Sequence, residues 1–516
     1  MSEKIYLTTP LYYVNAEPHL GHTYTTMLAD TFARFHRSMG RDVFLLTGTD
    51  EHGDKIADAA RVHDTLPKAY ADRVSGIFRQ TWDACGITYD HFIRTTDDYH
   101  IRFVQSTLAK VHAAGDIYFG EYGGKYCMGC ERFYTDRELR GGKCPDHETE
   151  PIWIKEENYF FRMERYRPQL LEHIEKHPDF IRPAGYRAEV LGLLREPLED
   201  LCISRPKSRL TWGIELPFDE RYVTYVWFDA LLNYLSGLDH ARPKEAAAFW
   251  PRCQHIIAKD ILKPHAVFWP TMLMAAGYPP YAHLNVHGYW NMGKSKMSKS
   301  LGNVIRPLEM RDRFGLDGFR YFLLREMVFG MDSAFTEDLF FTRFNADLSN
   351  GLGNLVSRVL SMQQKYFGGK IQAFAGGPRP EDEALAAAFH AAEADAKAQV
   401  EQLAFHTALE KIWTAIAACD KYVVETSPFK MWKDESARPR VGEILHALCD
   451  ALRHTARLIA PFMPETAERI AKLLRTEPNQ IGNLGEPAPA WFETFRPGHE
   501  VAAPEPLFPR IEVEKS

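Results

Sequence analysis

The sequence has little that would place the protein in a membrane or in a secretory pathway. Its 62 Lys and Arg stand against 69 Asp and Glu, a formal net charge of −7, so no general excess of basic residues points to a nucleic-acid partner. Residues 1–9 lack the basic and then apolar segments of a secretory signal. The longest uncharged stretch, Ala266–Ala282, is interrupted by Pro270, Gly277 and two further prolines. It therefore predicts buried strands and turns, not a membrane span.

Cysteine is also scarce. Eight cysteines in 516 residues are too few for the disulfide framework of a small secreted protein. With 45% hydrophobic and 25% charged residues, the composition is that of an ordinary globular protein. The length allows about three domains. We therefore expect a cytoplasmic protein of several domains, each with its own core.

The order of apolar segments predicts a split parallel sheet. A strand at Ile5–Thr9, a helix over Thr23–Met39 and a strand at Asp42–Leu46 form a β-α-β unit, whose ligands lie at the carboxyl ends of its strands. The alternation stops between Tyr118 and Leu216. It resumes at three later segments, Tyr222–Phe228, His255–Ile261 and His283–Val286. We expect a Rossmann-like α/β domain interrupted by an insertion.

The C-terminal part is rich in Ala and Leu and predicts helices. Apolar residues recur with helical periodicity in Glu381–Val424 and Val441–Leu474, as in a bundle. The sequence thus predicts five parts: the two halves of the α/β domain at 1–117 and 217–295, the insertion at 118–216, a connecting region at 296–348, and a helical domain with a C-terminal tail at 349–516.

Two histidines lie where the first strand leads into the first helix. His19 and His22 are three residues apart in PHLGH (18–22), and Gly21 allows an anion to approach the backbone at a helix N-terminus. The pattern suits the phosphates of a nucleotide. Two loop histidines with ordinary hydrogen bonds are the alternative.

Two lysines form a second candidate phosphate site. Lys296 and Lys299 lie in KMSKS (296–300), which Leu301-Gly302-Asn303 follows. Such point charges suit a polyphosphate whose negative charge rises in the transition state. A short run of Lys and Ser is often only a solvated loop, so this motif gains weight from its combination with the histidine pair.

Four residues have the spacing of a zinc site. Cys127 and Cys130 form a CxxC knuckle, and after thirteen residues Cys144 and His147 form a CxxH knuckle, which suits tetrahedral zinc. Four protein ligands leave no position for an activated water, so the ion would be structural, and the pattern argues against a metalloenzyme. Disulfides are the alternative, and a cytoplasmic location disfavours them.

The end of the second predicted strand carries acidic residues where ligands are expected. In TGTDEHG (47–53), the carboxylate of Asp50 is our candidate for holding a substrate ammonium group. Glu51, or a purely structural cap, is the alternative.

The two phosphate motifs, in this order, resemble the paired signatures of class I aminoacyl-tRNA synthetases. Longer segments narrow the resemblance to the methionyl-tRNA synthetase family, in its bacterial form with one zinc knuckle, over essentially the whole chain. They are TTPLYYVNAEPHLGH (8–22), TGTDEHG (47–53), ENYFFRM (157–163), SRPKSRLTWGI (204–214), TYVWFDALLNY (224–234), AKDILKPHAVFWP (258–270) and KMSKSLGN (296–303).

This resemblance implies a ligase that activates L-methionine with ATP, releases pyrophosphate and transfers methionine to the 3′-terminal adenosine of tRNA(Met), for initiation and elongation of translation. It implies one structural Zn²⁺, Mg²⁺ with ATP, and a split Rossmann-like domain followed by an all-α anticodon-binding bundle. A monomer is expected, because the sequence shows no extra tRNA-binding domain of the kind that some relatives use to dimerise. The leucine, isoleucine and valine enzymes need a longer editing insertion, and the cysteine enzyme binds its substrate through zinc.

The family's site residues carry over onto matching positions. The resemblance implies that His19, His22, Lys296 and Lys299 are catalytic. It places ATP on His19, Gly21, His22, Lys259, Asp260 and Lys299. It places methionine on Leu11, Tyr13, Asp50, Val226, Trp227, Ala230, Tyr234, Ile261, His265 and Trp269. An intact phosphate clamp argues against a catalytically inactive tRNA-binding relative.

The helical domain matches the family's anticodon-binding residues with one departure. Asn354 and Arg358 correspond to the motif that reads the methionine anticodon. Where the family often has Pro-Trp, this chain has Pro428-Phe429. A Phe429 ring still offers a face on which an anticodon base can stack, although a smaller one.

Overall fold

A computed structural model of the chain describes residues 2–127, 132–134, 136, 138–145, 147–292, 295–296, 305–477 and 481–511. The chain divides into two units. The first, here called the α/β unit, comprises Glu3–Asp30 and Val43–Gly288; the second, the helical unit, comprises Met1–Ser2, Thr31–Asp42 and Tyr289–Ser516. The predicted five-part division stays a prediction.

The strands, in chain order, are β1 (Lys4–Tyr13), β2 (Asp42–Asp50), β3 (His91–Arg94), β4 (Ile117–Cys127), β5 (Arg132–Tyr134), β6 (Ile152–Phe161), β7 (Ile181–Arg182), β8 (Leu201–Cys202), β9 (Ser204–Pro206), β10 (Glu215–Leu216), β11 (Asp219–Thr224), β12 (Cys253–Ala258), β13 (His283–His287), β14 (Trp290–Met292), β15 (Ser295–Lys296) and β16 (Ser333–Phe335).

The helices are α1 (Leu20–Ser38), α2 (Asp54–Val62), α3 (Pro67–Ala84), α4 (Asp98–Ala113), α5 (Arg167–Lys176), α6 (Ala184–Leu193), α7 (Trp227–Ala230), α8 (Asn233–Ala241), α9 (Ala246–Phe249), α10 (Trp269–Ala275), α11 (Pro307–Phe314), α12 (Leu316–Glu326), α13 (Glu337–Arg343), α14 (Asn354–Phe367), α15 (Pro380–Glu401), α16 (Phe405–Thr426), α17 (Pro428–Met431), α18 (Arg438–Ile459) and α19 (Pro464–Leu473).

The central sheet of the α/β unit is split as predicted. Its strand order is β3-β2-β1-β12-β13-β7, so strands from before and after the insertion lie side by side. The pairing of β1 with β12 is parallel and aligns Thr8 with His255. The β12–β13 and β2–β3 pairs are also parallel. The backbone N–H of Val14, directly after β1, donates to the carbonyl oxygen of Asp50 at the end of β2, at 3.3 Å. The carboxyl ends of β1, β2 and β12 therefore meet at one edge, where ligands of such sheets bind.

Two expectations about this sheet are wrong. Tyr222–Phe228 does not add a strand to it, since β11 ends at Thr224 and pairs antiparallel with β9 and β10 in a separate sheet. Trp227 and Phe228 begin helix α7 instead. Conversely, the edge strand β7 comes from within the predicted insertion and pairs with β13. A short apolar run does not distinguish strand from helix, and a two-residue strand has no periodicity to detect.

The uncharged stretch Ala266–Ala282 is helical at its start, not stranded. A π-helical segment at Pro264–Phe268 continues into α10. Pro264 lies in the first turn of this helical region, where proline needs no intrahelical N–H partner. No helix in the described part of the chain is long and apolar enough to cross a bilayer.

The insertion contains an antiparallel sheet of its own, in the order β5-β4-β6-β8. Its long β4–β6 ladder aligns Ile117 with Phe161 and Tyr126 with Ile152. The ladder ends next to Cys127, the first predicted zinc ligand.

The helical unit confirms the predicted bundle. Helices α15 and α16 cover most of Glu381–Val424, and α18 and α19 cover most of Val441–Leu474. In α18 every residue from Arg440 to Ile459 is buried, so this helix is the axis on which the bundle packs. The only sheet among the described residues of this unit has the order β15-β14-β16.

Candidate active site

The histidine pair of PHLGH comes together at the start of α1. The rings of His19 and His22 stack, with centroids 3.7 Å apart and planes at 20°. The Gly21 N–H donates to His19 Nδ1 at 3.1 Å, and the His19 N–H donates to His22 Nδ1 at 3.4 Å. Because Nδ1 accepts in both rings, each neutral ring carries its proton on Nε2. The two imidazoles can therefore both donate to one anion.

Glu51, the alternative to Asp50, is fully used inside the protein. Its buried carboxylate accepts hydrogen bonds from Arg94 Nε at 2.7 Å and Nη2 at 2.8 Å. The hydroxyls of Thr49 and Thr96 donate to the same carboxylate at 2.7 and 2.6 Å. A carboxylate with four donors has no capacity left for a substrate ammonium. This supports Asp50, 3% exposed at the end of β2, as the candidate.

Three of the residues expected to bind methionine form one hydrogen-bonded aromatic cluster. His265 Nδ1 lies 2.9 Å from the carbonyl oxygen of Ile261 and must donate to it, so the other nitrogen, Nε2, accepts from Tyr234 Oη at 2.8 Å. Burial lowers the pKa of His265 to about 4, which keeps the ring neutral. The Tyr234 and Trp269 rings lie 5.9 Å apart. The result is a buried aromatic wall with a defined pattern of donors and acceptors.

The other expected methionine-binding residues lie around this wall. Leu11, Ile261 and Trp227 pack on the core that contains Tyr234 and Trp269. A smaller cluster joins Val226 to Tyr13 and Trp227. Ala230 follows Trp227 in α7. Trp227 thus belongs to both clusters and connects the two groups.

Sequence reasoning missed two residues that shape this wall. His255, fully buried in β12, accepts from Trp269 Nε1 on Nε2 at 3.1 Å and donates through Nδ1 to Thr8 Oγ1 at 2.7 Å. Burial lowers the pKa of His255, which fits this neutral tautomer. Phe268 meets the Trp227 ring edge-on, with centroids 6.3 Å apart. The available sequence signal for His255 was a histidine within an otherwise apolar strand. Phe268 had no signal other than its position beside the candidate Trp269.

The remaining ATP-binding candidates are divided between the two units. Lys259 and Asp260 form a 3-10 turn directly after β12, at the ligand-binding edge of the central sheet. The backbone of Lys296 lies in β15, in the helical unit. Lys299 lies outside the described residues.

Three of the four predicted zinc ligands converge. The donor atoms of Cys127, Cys144 and His147 all lie within 4.8 Å of one another, and Cys144 Sγ is 3.8 Å from His147 Nδ1. Both thiols are buried, and neither is in a disulfide. Cys130 lies outside the described residues. Two thiols and an imidazole at this separation are a donor set that suits zinc.

The anticodon candidates lie on the helical unit. Asn354 is exposed at the start of α14, and Arg358, one turn later, forms an ion pair with Asp420 of α16 at 3.0 Å. Asn354 also lines a hollow of about 380 Å³ together with C-terminal residues including Phe508. Phe429, in α17, is 48% exposed. Partial exposure is what contact with a macromolecule requires.

The chain resembles known proteins over its full length. A family profile described as tRNA synthetases class I (M) matches residues 5–151 and 146–360, and one described as the anticodon binding domain of methionyl tRNA ligase matches residues 374–516. A methionine–tRNA ligase of Fusobacterium nucleatum is 41% identical over 100% of this chain and 81% of its own length. One from Caldanaerobacter subterraneus is 42% identical over 100% of this chain and 80% of its own.

Solved structures agree. Mycobacterium tuberculosis methionyl-tRNA synthetase in complex with methionyl-adenylate superposes with a TM-score of 0.93 at 38% identity, covering 98% of this chain and 100% of that one. The apo form of the enzyme from the same organism gives 0.86 at 35% identity, covering 100% and 99%.

Proposed function

This chain belongs to the methionyl-tRNA synthetase family, and we propose how its residues divide the work of that family's reaction. The enzyme activates methionine with ATP and transfers it to tRNA. In the first step a methionine carboxylate oxygen attacks the α-phosphorus of ATP, and the bond to pyrophosphate breaks. The aminoacyl group then passes from the adenylate to a terminal hydroxyl of the tRNA, the anhydride bond breaks, and AMP leaves.

Methionine binds against the aromatic wall at the ends of β1, β2 and β12. The observation that carries this assignment is the buried hydrogen bond to neutral His265 from Tyr234, which lies in the same apolar core as Trp269 and Trp227. A thioether is flexible and polarisable, and each sulfur–aromatic contact contributes about 1 kcal/mol. Asp50 holds the ammonium group, since Glu51 has no capacity left. The remaining methionine-binding candidates complete the apolar lining.

ATP binds across the start of α1. The Nε2–H groups of His19 and His22 donate to its phosphate oxygens, and Gly21 lets the nucleotide approach the helix N-terminus. Lys259 and Asp260 contact the nucleotide from the end of β12. Lys296 and Lys299 act as catalytic charges on the leaving pyrophosphate, and Mg²⁺ accompanies ATP.

A zinc ion held by Cys127, Cys130, Cys144 and His147 is structural. The three described donors fit this ion by type and separation. Zinc would supply a cross-link between Cys127, at the end of β4, and the knuckle of Cys144 and His147. The ion takes no part in the chemical steps.

The tRNA is tRNA(Met), and its anticodon contacts Asn354, Arg358 and Phe429. The exposed positions of Asn354 and Phe429 support this assignment, and the anticodon-binding profile that matches 374–516 includes Phe429. We further propose a cytoplasmic, monomeric enzyme that serves both initiation and elongation.

Amino-acid-dependent exchange of pyrophosphate into ATP, measured with each of the twenty amino acids, tests the substrate assignment. We expect methionine to support exchange best. Faster exchange with leucine or cysteine would contradict the proposed pocket. Metal analysis of freshly purified protein tests the zinc site, and finding no zinc would contradict it.

A further inference from the structure

A buried carboxylate connects the two sides of the proposed methionine pocket. Asp229 lies in α7 between Trp227 and Ala230, and its side chain is fully buried. Its Oδ2 lies 2.7 Å from His52 Nδ1, and its Oδ1 lies 2.9 Å from His100 Nε2. His52 follows Asp50 by two residues, whereas Trp227 precedes Asp229 by two. One side chain thus bridges the strand end of Asp50 and the helix of Trp227.

The hydrogen-bond roles in this network are defined. A carboxylate only accepts, so both histidines donate to Asp229. The second nitrogen of His100, Nδ1, lies 2.7 Å from the hydroxyl oxygen of Ser236. Burial on its own would raise the pKa of Asp229, but His52 and His100 lower it below its ordinary value. Asp229 is therefore an anion with a donor on each oxygen.

The strand end carrying Asp50 is held from its other side as well. Glu51 is bound to Arg94, and its carbonyl oxygen accepts from Trp212 Nε1 at 2.5 Å. The Trp212 ring also packs on His52, with centroids 5.2 Å apart. With Glu51 and His52 both anchored, the backbone at Asp50 has little freedom.

We propose that Asp229 is a positioning residue for methionine. It fixes the position of Asp50 through His52, and it fixes the position of Trp227 through helix α7, to which Asp229 and Trp227 both belong. Asp229 touches neither substrate. The inference rests on the proposed methionine pocket and extends it to a residue behind the pocket wall. Because the ammonium contact and the side-chain contact belong to one ligand, the distance between Asp50 and Trp227 matters for methionine and not for ATP.

Asp229→Asn tests this role, because it keeps the size of the side chain but leaves a single acceptor for two donors. In pyrophosphate exchange we expect the KM for methionine to rise about 10- to 100-fold, the scale of losing one hydrogen bond to a charged group. The KM for ATP should stay within about twofold, since the interaction lost is specific to one substrate.

Two variants of His52 separate positioning from folding. The amide nitrogen of His52→Asn can replace Nδ1 as the donor to Asp229, whereas His52→Leu removes the donor. We expect His52→Asn to keep a methionine KM close to that of the parent enzyme and His52→Leu to raise it. This comparison also stands if Asp229→Asn does not fold.

Asp116→Asn is the matched control. Asp116 is also buried and also accepts two hydrogen bonds, from Arg165 and Tyr166 at 2.6 Å each, but neither partner belongs to the proposed pocket. We expect the Asp116 variant to leave the methionine KM unchanged.

Equal increases in both KM values for Asp229→Asn, or the same methionine effect from Asp116→Asn, would overturn the positioning role. So would equal behaviour of His52→Asn and His52→Leu. Trp227→Ala serves as the reference for the pocket itself. If it leaves the methionine KM unchanged, the pocket assignment fails and the inference with it. If Trp227→Ala raises the KM and Asp229→Asn does not, only the inference fails.

Discussion

The candidate recognition residues of the α/β unit and those of the helical unit are held in opposite ways. In the α/β unit, Tyr234 and His265 are buried and hydrogen-bonded to each other. In the helical unit, Phe429 is 48% exposed and Arg358 has an ion pair with Asp420, both side chains partly exposed. A small ligand gains affinity from a concave site that is formed in advance. A tRNA brings a large surface of its own, so exposed side chains suffice for it.

Lys299→Ala is the change with the largest expected effect. The expected result would show that the α/β unit does not carry out the chemistry alone while the helical unit only recognises tRNA. Lys296 belongs to the helical unit, yet we expect Lys299, three residues later in the sequence, to stabilise the transition state of adenylate formation. Loss of one such charge should lower the single-turnover rate by about 10²–10³-fold, with much less change in ATP dissociation. Pre-steady-state measurement over a range of ATP concentrations checks this. Full recovery of the rate at saturating ATP would mean that the lysine only binds nucleotide.

Trp227→Ala tests the buried methionine site of the α/β unit. The indole lies in both apolar clusters of the pocket, so its loss should raise the methionine KM by about 10- to 100-fold, equivalent to about 1.4–2.8 kcal/mol. The KM for ATP should change little. Steady-state exchange with each substrate varied in turn gives both values, and an equal rise in the two would contradict the assignment.

Phe429→Ala tests the exposed tRNA-binding candidate of the helical unit. Stacking on one base contributes about 1–3 kcal/mol, and we expect the lower part of this range for the smaller phenyl face. The KM for tRNA should rise by about tenfold in aminoacylation assays. Phe429→Trp should lower it. Methionine-dependent exchange without tRNA is the control, and a change there would place Phe429 outside tRNA recognition.

Zinc removal should have the smallest of these effects, because we expect it to loosen the insertion and to leave the helical unit unchanged. Chelation should expose the insertion to protease, because Cys127, Cys144 and His147 lose the ion that joins them. The thermal midpoint of the helical unit should not move, because α18 packs in a separate core. Limited proteolysis and calorimetry of the full chain with and without chelator check the two statements. A parallel loss of both units would contradict separate cores.

Much of the fold follows from local pattern. The β-α-β start is confirmed, with α1 beginning at Leu20, because helical periodicity and a glycine-containing loop are encoded within a few residues. The strand β7 was not predictable, because two residues acquire strand geometry only by pairing with β13, which lies about a hundred residues later in the chain. The misassigned Tyr222–Phe228 has the same cause: its aromatic and β-branched residues fit a strand equally well in either sheet.

The order of the residues alone identifies the groups that are available: the PHLGH histidines, the cysteines and histidine of the predicted zinc knuckles, and the adjacent acids Asp50 and Glu51. The fold is what favours Asp50 over Glu51 as the candidate, because Arg94, 43 residues from Glu51, occupies the Glu51 carboxylate. It likewise made Asp229 a link between Asp50 and Trp227, through histidines at positions 52 and 100. The physical reason is the same for both. Whether a buried charge is available for a ligand depends on which donors reach it, and those donors come from distant parts of the chain.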